Sequence, residues 1–376
     1  MSSFILAVST MVGTIVGAGI FGIPYVIARS GAVPGVFYFV VLGSIVTLLH
    51  LFYGEICLRT TEKHRIVGYA YKYLGVWGRV LASLALVFVI GGTLLAYLIL
   101  AGEFLNIVSA PFLSLSPSVF SLLFLIVCAF FISQGRQLIT KVELFLTLAL
   151  VGVVALVLAI ALPQFQVSNL SFFDLKNVFL PYGVILFTLI GFEAIPEVAT
   201  FLRDKKSTVR LDTVILAATS FAAALSFIFA FSVVGISGAA TSSDAFSGLV
   251  PFVGSGIITL GAFFGVLSIA SSFLVLGNYL KNSLRHDFGI PTGLAIVLTA
   301  LIPLIPFLLG IREFIGVIGI VGVFVGMVEG LLMIRIFQKA KIMGDRKPEY
   351  EIRVPSLLLL LLSIILIGGA IAGLFL

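Results

Sequence analysis

Charge is the first thing this chain is short of. Of its 376 residues only 10 % are Asp, Glu, Lys or Arg, against about 25 % in soluble chains. Sixty-one per cent are apolar, and the mean hydropathy is +1.27. A soluble fold of this composition would lack the polar groups to cover its surface. What remains is a membrane protein over nearly the whole length. Cysteine is scarce as well. Cys57 and Cys128 both stand in apolar stretches, which excludes a disulfide framework and a cysteine metal site. His50, His64 and His286 are scattered, so a histidine metal cluster is excluded too. Long polar stretches are missing between the apolar runs, and no extramembrane domain is expected. The first apolar run does not read as a signal peptide. It lacks a basic leader, is interrupted by Gly17, Gly19, Gly22 and Pro24, and is followed by more runs of its kind.

A bilayer core about 30 Å thick takes roughly 20 apolar residues per helix. Windows of that size predict eleven spans, at 4–28, 32–57, 77–107, 117–134, 142–162, 178–202, 210–237, 250–281, 290–310, 313–337 and 354–375. The basic residues divide between alternate connections. One set holds Arg59, Lys63, Arg65, Lys72, Arg79, Arg136, Lys141, Arg203, Lys205, Lys206, Arg210, Lys281, Arg285, Arg335, Lys339, Lys341, Arg346, Lys347 and Arg353, which is 19 of the 22. The other holds Arg29, Lys176 and Arg312. By the positive-inside rule the N-terminus is cytoplasmic and, after an odd number of spans, the C-terminus is extracellular in a cell membrane. A miscounted span would scramble this division. The net charge of +6 therefore sets topology, and no nucleic-acid partner is needed to explain it.

Two spans share a pattern. Span one contains GIFGIP (Gly19–Pro24) and span six contains GFEAIP (Gly191–Pro196), 172 residues later. The same offset carries spans two to five onto spans seven to ten within a few residues. Five helices separate the matched elements, an odd number, so the second copy is inserted upside down. This predicts a first repeat over 1–162, an inverted one over 178–338, and an eleventh helix at 354–375 left over. Inverted repeats whose first helices are broken at the midplane characterise secondary transporters. The glycines tolerate non-helical dihedrals, and a proline five residues later removes a backbone donor. Polar groups freed by unwinding survive at that depth only where they line a cavity or bind something. The outer half of span one points its positive N-terminal end at the midplane, which suits a carboxylate. The outer half of span six ends there in free carbonyls, which suit an ammonium. One positive and one negative end facing a common cavity make a receptor for a zwitterion, and free amino acids are the obvious candidates.

Plainer readings exist for the same residues. Gly13 and Gly17 also form a helix-packing pair. Gly17, Gly19 and Gly22 match the dinucleotide fingerprint, but that motif requires a strand before it and a soluble βαβ unit around it. The run GTIVGAGIFGIP (Gly13–Pro24) resembles the first-helix signature of the amino acid–polyamine–organocation superfamily, and FTLIGFE (Phe187–Glu193) resembles its sixth-helix signature. AYLILAGE (Ala96–Glu103) and SSFL (Ser271–Leu274) are similar to patterns of its amino acid/auxin and aromatic amino acid permease branch. The resemblance covers spans one to ten. It implies an all-α LeuT-type fold of five plus five helices and an amino acid symporter working by alternating access. EAIPE after Gly191 mixes features of two branches, and eleven spans is the count of only one of them. The substrate ligands implied are Thr14, Gly17, Ala18, Gly19, Tyr97, Phe187, Thr188, Gly191 and Phe192, with Phe187 and Phe192 lining an apolar side-chain pocket.

An ionisable group at bilayer depth is costly and is a functional candidate by default. Glu193, two residues after the span-six break, reads as a gate or proton acceptor, or else as a protonated acid bonded to unwound backbone. Glu197 lies one turn further towards the cytoplasmic vestibule. Glu55 and Glu329 approach cytoplasmic helix ends, where snorkelling or pairing with loop arginines is expected. Besides Glu193, no charged residue is near both breaks, which disfavours dibasic substrates. The coupling ion is expected to be Na⁺, with H⁺ as the alternative. By the resemblance, sodium would take the carbonyls of Val12 and Ile15 and hydroxyls of Ser268, Ser271 and Ser272, which share one helix face by their i, i+3, i+4 spacing. Such serines otherwise bond back to their own i−4 carbonyls. Some proton-coupled relatives carry a lysine on helix five in the sodium position; the fifth span here has none, and Lys141 sits at its mouth. Rival readings are the same fold carrying a polyamine or nucleobase, a non-transporting sensor, and an intramembrane enzyme. The last is disfavoured because no acid–histidine cluster or Ser–Lys dyad recurs at helical spacing. No organic cofactor is implied, and the sequence says nothing of oligomeric state.

Overall fold

Backbone polar groups in a bilayer core must be satisfied within their own segment. The protein meets this with helices, and among the described residues there is no strand. The structure is a computed structural model that describes residues 3–374 apart from 114, 135–150, 153, 157, 158, 161, 162 and 287. Span one is two helices, α1 (Ser3–Ile15) and α2 (Gly19–Ser30), bent by 54° at the break. Then come α3 (Ala32–Arg59), α4 (Ile66–Ser109) and α5 (Pro117–Gln134). Span six is also two helices, α6 (Leu180–Leu189) and α7 (Ala194–Asp204). The second half continues with α8 (Leu211–Ser237), α9 (Ser255–His286), α10 (Thr292–Leu308) and α11 (Phe314–Phe324). A π-turn at Val325–Glu329 leads into α12 (Gly330–Met343), and α13 (Ser356–Leu374) ends the chain.

Eight of these helices, with α6–α7 and α11–α12 each taken as one, are long and apolar enough to cross a membrane. The bent α1–α2 pair makes a ninth, and α10 is a shorter apolar helix. The fifth expected span, with Arg136 and Lys141, lies largely outside the described residues. Local chemistry explains most boundaries. Pro117 starts α5, where its missing N–H is no loss. Gly31, at φ +100°, turns α2 into α3 against the backbone of Phe172 and Phe173, which a Cβ would strike. Two differences from the sequence reading bear on the charged residues. The third span begins at Ile66, eleven residues early, because Gly75 at φ +74° kinks the helix and adds a leg carrying Lys72. Lys281, assigned to a basic connection, is instead buried on α9, where its ammonium donates to the Ile132 carbonyl at 2.8 Å and to Asn278 Oδ1 at 2.7 Å.

The broken helices occupy the middle. α1 packs on α7 and α8, α2 packs on α6 and α8, and α4 lies along α9. α6 and α11 cross through glycine: a Cβ on Gly322 would collide with the Gly183 carbonyl, and one on Gly183 with the Gly319 carbonyl. Small residues let the two backbones meet, as membrane helices require.

Candidate functional site

The α1–α2 break covers Val16–Ala18. Val16 still donates to the Val12 carbonyl at 2.8 Å, while Gly17 donates to the Ile15 carbonyl at 3.0 Å. No carbonyl among the described residues accepts from the amides of Ala18 or Gly19. Those amides form the positive end of α2. The Tyr97 hydroxyl stands beside the Ala18 backbone and the Ser272 side chain, and it occupies the space a Cβ on Gly17 would need.

On the other side, Ile190 is extended, at φ −80° and ψ 137°, and its amide donates to the Leu186 carbonyl at 3.2 Å. The next amide, of Gly191, would in a continuing helix cap the Phe187 carbonyl. Instead it donates to His50 Nε2 at 3.2 Å. An imidazole that accepts at Nε2 carries its proton on Nδ1, and His50 Nδ1 lies 3.0 Å from Thr219 Oγ1. The ring also stands edge-on to Phe192, with centroids 5.3 Å apart. His50 therefore holds the break open and leaves the Phe187 carbonyl without an amide partner. A lone histidine in an apolar run gives no periodic signal. Its one visible mark is a polar side chain inside an otherwise apolar helix.

Between the two breaks lies a cavity whose empty space, counted together with the solvent at its mouth, is about 870 Å³. It is bordered by Thr14, Ile15, Gly17, Gly19, Tyr97, Phe187, Thr188, Glu193, Ser268, Ser271 and Ser272, all expected from the sequence, and by Gly13, Val16, Val89, Thr93, Ile190, Val275, Leu276 and Val325. Four expected residues do not border it. Ala18 and Val12 are buried behind the first break, Gly191 is engaged with His50, and Phe192 turns away towards Tyr53. The hydroxyls divide in a chemically useful way. Thr14, Thr93 and Thr188 donate to their own i−4 carbonyls, Thr10, Val89 and Val184, at 3.0, 2.7 and 2.8 Å. Their oxygens are left as acceptors. Ser268 and Ser271 make no hydrogen bond among the described residues, unlike most membrane serines that bond back to the helix.

Around α2 four aromatic rings pack together. Phe21, Phe104, Phe229 and Phe246 are fully buried and touch one another, with centroids of Phe21 at 5.0, 5.8 and 5.3 Å from the other three rings. The acids do not follow one rule. Glu55 pairs with Arg59 at 2.8 Å and accepts the Ile352 amide at 2.6 Å, as expected of a helix end. Glu197 pairs with Arg65 at 3.3 Å. Glu329 departs from the arginine pairing expected of it: it is buried, at 4 % exposure, and has no arginine beside it among the described residues.

Two broken helices presenting opposite backbone ends to one cavity define a LeuT-fold membrane transporter. A solved structure of MhsT in complex with L-phenylalanine has the same fold, with a TM-score of 0.64 over 99 % of this chain and 97 % of that one at 19 % identity. The chain belongs to the tryptophan/tyrosine permease family, whose model matches residues 1–374. It is a multi-pass amino acid transporter and not an enzyme. It is similar to tyrosine-specific transport system 1 of Haemophilus influenzae, 24 % identical over 88 % of this chain and 86 % of the relative. It is equally similar to glutamine transporter 2 of Aliivibrio fischeri, 24 % identical over 90 % of this chain and 88 % of that relative.

Proposed function

We propose that this protein imports neutral amino acids with large apolar or aromatic side chains, coupled to sodium, by alternating access, with its N-terminus in the cytoplasm. One observation carries the reading: the amide end of α2 at Gly19 and the carbonyl end of α6 at Phe187 border a single cavity. The Gly19 amide would take the substrate carboxylate, with the Tyr97 hydroxyl as a further donor. The Phe187 carbonyl and the acceptor oxygens of Thr14 and Thr188 would take the ammonium. The side chain would then lie among Phe187, Val89, Ile190, Val275, Leu276 and Val325. That lining favours Phe, Tyr, Trp or Leu over glutamine, although relatives named for tyrosine and for glutamine are equally distant. For sodium, the Ile15 carbonyl and the unpartnered Ser268 and Ser271 hydroxyls supply hard oxygen ligands at the cavity wall.

The test is uptake into proteoliposomes. Radiolabelled Phe, Tyr, Trp or Leu should accumulate under a sodium gradient at symmetrical pH and should fail to in Ser271→Ala and Ser272→Ala. Uptake of glutamine, arginine or nucleobases alone would overturn the substrate. Transport that ignores sodium, follows a pH gradient and is lost in Glu193→Gln but not in the serine variants would overturn the ion.

A further inference from the structure

Three helices wall one end of the cavity, and their contacts fix which residues share a level. α4 and α9 run antiparallel. A Cβ on Gly265 would strike the Phe104 ring, and seven residues away on each helix the Tyr97 hydroxyl stands beside Ser272. One turn before Tyr97 on α4 comes Thr93, and one turn past Ser272 on α9 come Val275 and Leu276, all three on the cavity wall. α11 continues this wall. A Cβ on Gly92 would strike Val321, and the Phe88 and Phe324 rings lie 4.2 Å apart, so Val325 comes level with Val89.

This layer is apolar except at one atom. The other polar side chains of the cavity wall belong elsewhere. Thr14 and Thr188 stand on the broken helices, and Glu193 stands at the start of α7. Ser268, Ser271 and Ser272 lie at the level of Tyr97 or on its Phe104 side. Among the described residues, that leaves Thr93 with Val89, Val275, Leu276 and Val325. Its hydroxyl hydrogen goes to the Val89 carbonyl, at 2.7 Å. With that hydrogen spent, the oxygen can only accept from the cavity. An acceptor 7 % exposed among aliphatic side chains is costly to leave unmet, and a ligand that brings a donor meets it.

We propose that Thr93 selects the substrate's side chain: its oxygen accepts a hydrogen bond from an O–H or N–H at the edge of an aromatic ring, so that a ring with such a donor binds in preference to the same ring without one. The phenol of tyrosine and the indole of tryptophan carry the donor; phenylalanine and leucine do not. One turn is about 6 Å of helix, a distance that a phenol or an indole spans from its α-carbon and a short side chain does not. Selection by Thr93 rests on the transport reading above, which holds the zwitterion at the two breaks and points its side chain at this layer. The aliphatic wall admits large side chains as a class, and Thr93 ranks them within it.

The test is affinity by calorimetry in matched pairs, on the purified full-length protein. Tyrosine should bind roughly five- to tenfold more tightly than phenylalanine, the worth of one net hydrogen bond. O-methyltyrosine keeps the oxygen but has no hydrogen to give, and it should lose that advantage. So should 1-methyltryptophan against tryptophan. In Thr93→Val the ratio of tyrosine to phenylalanine affinity should fall to one or below, and in Thr93→Ser it should persist. A ratio does not register a variant that merely binds everything less well. If Thr93→Val does not fold, the same ratio is read in Thr93→Ala. A native ratio near one, an advantage that O-methyltyrosine keeps, or a ratio that survives loss of the hydroxyl overturns the assignment. So does a ratio lost only in Glu193→Gln, which would make Glu193 the acceptor. Binding of none of phenylalanine, tyrosine, tryptophan and leucine overturns the transport reading and the selection together. Binding without the ratio overturns the selection alone.

Discussion

Gly19 has no space for a side chain. A Cβ there would lie 2.6 Å from Thr188 Oγ1 and 2.8 Å from Phe187 Cδ1, both in the last turn of α6. Gly19→Leu should therefore abolish uptake by filling the gap between the breaks, with helix content by circular dichroism unchanged. Retained uptake would show that the substrate does not bind there. His50 invites a subtler test. In His50→Ala the Gly191 amide is free to cap the Phe187 carbonyl, and the substrate ammonium must then compete with it. A net hydrogen bond is worth about 1 kcal/mol, so affinity by calorimetry should drop roughly five- to tenfold. An unchanged affinity would mean that the carbonyl is not used.

At the scale of elements, the α6–α11 crossing depends on Gly183, Gly319 and Gly322. Gly322→Val should destabilise the protein by about 1–3 kcal/mol, as overpacking does, read as earlier thermal unfolding. A neutral result would mean that the helices can slide apart at no cost. These elements also mark what the sequence makes legible. Spans, breaks and the glycine-to-proline spacing are local, and the structure ends α5 at the expected residues and breaks spans one and six where the glycines stand. Pairings across the bundle are not local. Nothing in one strip of sequence brings His50 to Gly191, or four phenylalanines from four segments onto one another. Burial of Lys281 escapes for a related reason: a lysine at a helix end looks the same whether it meets water or the Ile132 carbonyl.

Across the whole molecule, the basic connections form a collar. Arg203 donates to the carbonyls of Cys57, Thr60 and Thr61, Lys63 pairs with Asp204 at 2.7 Å, and Arg346 reaches the Leu58 carbonyl at 2.9 Å. Asp345 ties the loop before α13 to this collar, receiving Lys72 Nζ at 2.6 Å and the Thr61 amide at 2.8 Å. The Lys72 ammonium first, and then the Thr61 amide, hold its carboxyl down to about 2 from 3.8. Because the folded value is the lower one, Asp345 adds stability above its ordinary range and loses it as pH falls towards 2. The difference in melting temperature between the native protein and Asp345→Asn should stay constant from pH 7 to 5 and shrink below pH 4. A difference that does not change with pH would mean that the carboxylate is not what ties the loop. Around α2 the aromatic cluster makes a different dependence testable, on temperature. Phe21, Phe104, Phe229 and Phe246 meet ring to ring, so unsealing them wets apolar surface and raises the heat capacity. The free energy of unsealing must therefore curve with temperature, and cooling should favour the unsealed state, since apolar contact weakens in the cold. If these rings part during transport, the Arrhenius plot of uptake should curve, and Phe246→Ala should flatten that curvature.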